Sequence, residues 1–157
     1  MDDYEIIDKL TKRVIEYLKV NLGIDKIEED FFINDVDTLE YHSITTFISV
    51  SGDITGTVGL SVSHKLATIL VEYSIFGEID KKLIEELTIQ TIEEILNITL
   101  GNIIKELNIV KNGGKVEIST PYTLDKKDYP SQKKYTKIYS SKIKYSDEDI
   151  ILSYFYR

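Results

Sequence analysis

The segment that most constrains this chain runs from Lys82 to about Leu107, the longest helical signal in the sequence, free of proline and ended by Asn112-Gly113-Gly114. Ile89, Ile92, Leu96, Leu100, Ile103 and Leu107 fall on one side of that helix at 100° per residue, with Ile84, Ile95 and Ile98 widening the apolar arc on one flank. Such an arc must lie on a core, and the segments on either side of it supply strands. Before it, Ile44 to Val50 and Thr57 to Val62 are β-branched and alternating, with Ser51-Gly52-Asp53 as the turn of an antiparallel hairpin. After it, Lys115 to Thr120, Lys134 to Tyr145 and Asp149 to Tyr156 read as strands, the last two joined at Ser146-Asp147-Glu148.

Two further helices are expected. Ile6, Ile7, Leu10, Val14, Ile15, Leu18 and Leu22 recur at helical spacing between Tyr4 and Leu22, and Gly23 stands at the C-cap. Leu66, Ala67, Ile69, Leu70 and Tyr73 do the same from His64 to Phe76, before Gly77. A short strand is expected near Phe31 to Val36, and Lys126 to Lys134 is the best candidate for a mobile loop. The order helix, strands, two helices, strands describes an α+β fold: one antiparallel sheet packed with a long helix and two others, in a single domain over residues 1–157.

Charge narrows the function. With 27 acidic and 19 basic residues the net charge is -8, so no net positive field draws a nucleic-acid backbone and no nucleic-acid partner is expected. The absence of cysteine removes disulfides, thiolate catalysis and cysteine-ligated zinc, and suits a reducing compartment. No stretch approaches the roughly 20 apolar residues of a membrane span, so a cytoplasmic protein with no membrane partner is expected.

The side of the long helix opposite the apolar arc carries Glu86, Gln90, Glu94, Asn97, Gly101 and Lys105, in which Glu94 and Asn97 are i, i+3 neighbours pointing the same way. Glycine inside a helix costs about 1 kcal/mol relative to alanine, so Gly101 one turn beyond Asn97 implies the close approach of another surface. Asn102 shares a wheel position with Ile84 and Ile95 and is expected to be structural, its carboxamide needing a buried partner. Glu93 reads as a solvated neighbour of Glu94. His42 and His64 stand alone in sequence and receive no role. The acidic runs Asp2-Asp3, Glu28-Glu29-Asp30 and Asp147-Glu148-Asp149 lack the spaced ligands and turn glycine of a calcium loop, so no metal site is expected.

The run Glu94-Ile95-Leu96-Asn97-Ile98-Thr99-Leu100-Gly101-Asn102 resembles the Glu-x-x-Asn-x-x-x-Gly-Asn helix segment of the CheX chemotaxis phosphatases in the CheC/FliY group. The order of elements around it is similar too: Gly52, Gly56 and Gly59 in the hairpin, Leu60-Ser61-Val62-Ser63 running into a helix, and Ser119-Thr120-Pro121 after the long helix. The resemblance covers roughly Thr45 to Pro121, and its single Glu-x-x-Asn copy is more like CheX than like two-site CheC proteins. It implies hydrolysis of the aspartyl phosphate on a CheY-like receiver domain, with Glu94 and Asn97 catalytic, Gln90 and Gly101 on the partner-binding surface, no cofactor of its own, and Mg²⁺ supplied by the phosphorylated receiver. The alternative is a receiver-binding or scaffold module of the same fold that does not turn its partner over. If the last strand lies at an edge, it also offers pairing to a second copy, so a homodimer through sheet edges belongs to the expectations.

Overall fold

The computed structural model describes residues 4–75, 80–125, 128–129 and 137–156. The first helix, α1 (Tyr4–Glu16), gives way to a π-helical turn over Tyr17–Asn21, closed by a bond from the Leu22 amide to the Tyr17 carbonyl, so the regular helix ends earlier than its apolar spacing suggested. Gly23, at φ +71°, makes the left-handed cap expected of it. The edge strand β1 (Ile33–Asp35) is followed by the hairpin β2 (Ile44–Gly52) and β3 (Gly56–Val62). Its turn is Asp53–Thr55, not Ser51–Asp53: Val50 pairs with Gly56, and β2 continues through Gly52 against Val116–Ile118.

Ser63 caps α2 (His64–Ser74), its hydroxyl accepting from the Leu66 amide at 3.1 Å, and Asp80 caps α3 (Lys81–Ile104), accepting from the Lys82 amide at 2.7 Å. The expected end of α2 at Gly77 lies outside the described residues. The helical signal to Leu107 divides in two, because α3 stops at Ile104 and Leu107 precedes a short α4 (Asn108–Lys111), a helix additional to the three expected. Then follow β4 (Val116–Ile118), a two-residue β5 (Tyr122–Thr123), β6 (Lys137–Tyr145) and β7 (Glu148–Tyr156), β6 and β7 meeting in a tight turn at Ser146 and Asp147. Most of the Lys126–Lys134 loop also lies outside the described residues.

All pairings are antiparallel, in the order β1-β6-β7-β3-β2-β4 with β5 beside β2. The last strand is therefore interior, between β6 and β3, and is buried on both faces. The edge position on which pairing of this strand with a second copy was conditional is therefore not met, and Tyr154 and Phe155 are both in core clusters. One sheet face, with Ile48, Val58, Leu60, Ile143 and Leu152, packs with the helices into the main core. On the other face Leu39, Phe47, Ile138 and Phe155 form a second cluster, covered in part by Tyr41, Leu124 and Tyr129. Thr11 of α1 and Ser141 of β6 share a buried hydroxyl bond of 2.7 Å, tying helix to sheet.

Candidate functional site

The long helix α3 holds the site because one side of it is fixed. Thr88, Ile92, Ile95, Leu96, Thr99, Leu100 and Ile103 are buried. The two threonines escape an apolar count, yet both are satisfied within the helix: Thr88 Oγ1 donates to the Ile84 carbonyl at 2.9 Å and Thr99 Oγ1 to the Ile95 carbonyl at 2.7 Å. Ile89 lies within the angular range of the buried arc, between Leu96 and Leu100, yet is 48% exposed instead of packed as expected, because it stands near the end of the helix where burial begins only at Thr88. Ile84 and Ile98 are half-buried. Asn102 is half-buried as well, so its carboxamide does not demand the fully buried partner that its wheel position suggested.

Opposite that arc, Glu86, Gln90, Glu94, Asn97 and Gly101 are all exposed, as the spacing predicts. Glu94 and Asn97 stand about 4.5 Å apart along the axis and share one side of the helix. A Cβ built on Gly101 meets nothing within 4 Å, so nothing among the described residues requires glycine there. The structure thus brings together the four residues singled out from sequence, on one rigid, solvent-facing surface.

Several neighbours were not legible beforehand. Glu93 is not merely solvated: its Oε1 accepts from Thr123 Oγ1 of β5 at 2.8 Å, which pins α3 to the sheet beside the motif. Tyr17, at the start of the π-helical turn, lies near enough to Glu94 to feel its charge. Burial raises the Tyr17 phenol above its ordinary value, the Glu94 carboxylate raises it further, and the Arg13 guanidinium opposes both. The phenol therefore stays protonated at neutral pH. Nothing in the sequence announces this neighbour, because it depends on how α1 and α3 cross. Leu83, exposed near the start of α3, was likewise missed. Away from the site, His42 Nε2 meets Asp149 Oδ1 at 2.5 Å, a carboxylate 107 positions away and so invisible to a local reading.

Among the described residues no group of three or more His, Asp or Glu side chains is arranged to hold a metal ion, and no helix is long and apolar enough to cross a membrane. Chemically, the surface offers a carboxylate, a carboxamide that both donates and accepts, and open space beside them.

The sequence model described as chemotaxis phosphatase CheX matches residues 44–144, well over half of the chain and some way beyond the Thr45–Pro121 stretch that the motifs marked. No curated protein matches the sequence. Among solved structures, the chemotaxis protein CheX from Vibrio vulnificus is similar at a TM-score of 0.75 and 16% identity, over 96% of this chain and 98% of that one. CheX in the CheX-CheY-BeF3-Mg complex from Borrelia burgdorferi is similar at 0.71 and 14% identity, over 97% and 98%. FliY from Thermotoga maritima matches at 0.56 and 16% identity, over 95% and 85%. At these identities the likeness establishes a shared fold.

Proposed function

The chain belongs to the chemotaxis phosphatase CheX family, and from that premise we propose that it hydrolyses the aspartyl phosphate of a phosphorylated CheY-like receiver domain in the cytoplasm. The observation that carries this reading is the exposed Glu94 and Asn97 pair, one turn apart on a helix anchored by its other side, with open space at Gly101.

An acyl phosphate is already activated, so its hydrolysis needs an aligned water and charge stabilisation more than a covalent protein nucleophile. Asn97 enters the receiver's phosphorylation site, where its carboxamide oxygen orients a water by accepting a hydrogen bond from it. The water oxygen bonds to phosphorus as the bond to the aspartyl oxygen breaks, giving inorganic phosphate and the free carboxylate. A carboxamide does not titrate, so this orienting role persists across physiological pH. Glu94 forms a charge-assisted contact with a lysine of the receiver and fixes the docking register. The Mg²⁺ that stabilises the phosphoryl oxygens belongs to the receiver. Gln90 and Gly101 border the contact, and the missing side chain at Gly101 lets the receiver come close.

Phosphate release from a phosphorylated receiver of the same organism, with Mg²⁺ present, tests this directly. The protein should accelerate release, and Asn97→Ala should lower the acceleration by about 100-fold or more, the scale on which misplacing a reacting group is felt. Because Asn97 is exposed, its removal should change stability by no more than about 0.5 kcal/mol. Full activity in Asn97→Ala would overturn the assignment, and receiver binding without any acceleration would identify a scaffold module instead.

A further inference from the structure

The outer surface of α3 is more apolar than a solvated helix face requires. Leu83 is 43% and Ile89 48% exposed, and Leu87 between them is half-buried. Positions 83, 87, 90, 94, 97 and 101 alternate steps of four and three, the spacing that keeps side chains along one seam of a helix. Leu83 and Leu87 thus begin the same seam that goes on to carry Gln90, Glu94, Asn97 and Gly101, and Ile89 lies about 120° round the helix from Leu83 with Glu86 midway between them.

We propose that Leu83 and Ile89 are the apolar anchors by which α3 selects its receiver, seated against apolar side chains beside that partner's phosphorylation site. The inference rests on the function proposed above and adds to it the source of affinity. Polar groups at a contact set register and encounter rate, whereas a few well-packed, desolvated anchor side chains carry most of the binding energy. Leu83 lies about 16 Å along the axis from Glu94 and Ile89 about 12 Å from Asn97. Both fall within one standard contact area of about 800 Å² per partner, a patch about 30 Å across. Continuity with the Glu94 and Asn97 surface therefore assigns the patch to the molecule docked there. Charge points the same way: Glu85, Glu86 and Glu94 are exposed around it, so a second copy laid face to face would set carboxylates against their like, while a partner bearing a lysine would not. Val20 and Phe32, exposed as well, lie outside α3, and nothing in the structure says what covers them.

The experiment compares the full chain with a Leu83→Gln/Ile89→Gln double variant, Leu83→Met/Ile89→Leu, and Asn97→Ala. The readouts are the Kd for beryllofluoride-activated receiver, and kcat and KM for phosphate release. The double variant should raise Kd and KM about tenfold, with the loss concentrated in KM, while the conservative pair stays near the parent. Unchanged Kd and KM in the double variant, with Asn97→Ala inactive, would overturn this inference and leave the proposed function standing. Full activity in Asn97→Ala would instead sink the proposed function, and the Kd comparison would still decide the anchors. A dimeric parent made monomeric by the double substitution, with receiver affinity intact, would assign the patch to self-association and overturn the proposal.

Discussion

Helices α1 and α3 both pack on the same sheet face, yet they treat solvent differently. In α1, Ile6, Ile7, Leu10, Val14 and Ile15 are buried, and the outward positions from Glu5 to Glu16 are filled by Glu, Asp, Lys and Arg. Its outer charges pair locally, as Lys12 with Asp8 at 3.0 Å, an interaction worth little in water. In α3, apolar side chains are left exposed at Leu83 and Ile89, while threonines enter the core at Thr88 and Thr99. A helix whose apolar residues exceed its buried arc has surface left for a partner. The contrast separates a helix whose outer face is charged and solvated from one that leaves apolar side chains exposed on the helix that carries Glu94 and Asn97.

The sharpest way to break that contrast is to show that the two faces of α3 do the same job. Leu100 is fully buried, and Leu100→Ala should cost about 2–5 kcal/mol in denaturant unfolding, through the lost transfer energy and the cavity left behind. A cost below about 1 kcal/mol would mean that α3 is not anchored as described. On α1 the strongest specific tie is polar. Thr11 Oγ1 lies 2.7 Å from Ser141 Oγ and 2.6 Å from the Ile7 carbonyl, with both residues fully buried. Thr11→Val keeps the shape but strips Ser141 of its hydroxyl partner, and should cost about 1–3 kcal/mol in the same measurement. Receiver dephosphorylation by that variant, assayed below its melting transition, should match the parent. A selective loss of turnover would mean that α1 reaches into the site beyond Tyr17.

The same contrast explains what could be read from the sequence. The α1 helix was legible because its apolar residues and its buried residues are nearly the same set, with Thr11 the one polar exception. The motif surface of α3 was legible because residues three and four apart share a side whatever the helix packs on, so Glu94 and Asn97 were placed without knowing the sheet. The core side was misjudged at Ile89, since helical spacing gives a residue's angle but not how far along the helix the core reaches, and it passed over Thr88 and Thr99, which satisfy themselves against the preceding turn. The hairpin was visible in its alternation, but its turn slipped to Asp53–Thr55 because Gly52 is a strand residue. A side chain there would collide with the Lys115 carbonyl, 2.5 Å from where its Cβ would sit. Glu93 with Thr123, Tyr17 with Glu94 and His42 with Asp149 depend on tertiary crossings, for which a single sequence carries no local signal.

The smallest effect divides neighbouring residues. Gly101 follows Leu100 directly but faces outward, and its Cβ position is empty. If only the monomer mattered, alanine would be the better residue, because glycine inside a helix gives up about 1 kcal/mol of conformational entropy and alanine would recover it. Gly101→Ala should therefore raise stability by up to about 1 kcal/mol in denaturant unfolding, the opposite sign to its neighbour Leu100→Ala. The same variant should lose kcat/KM toward the phosphorylated receiver, since the added methyl stands where the partner's surface must come close. A variant that is more stable and fully active would remove the docking explanation for the glycine, whereas stability gained at the expense of turnover would trace its presence to the partner and not to the fold.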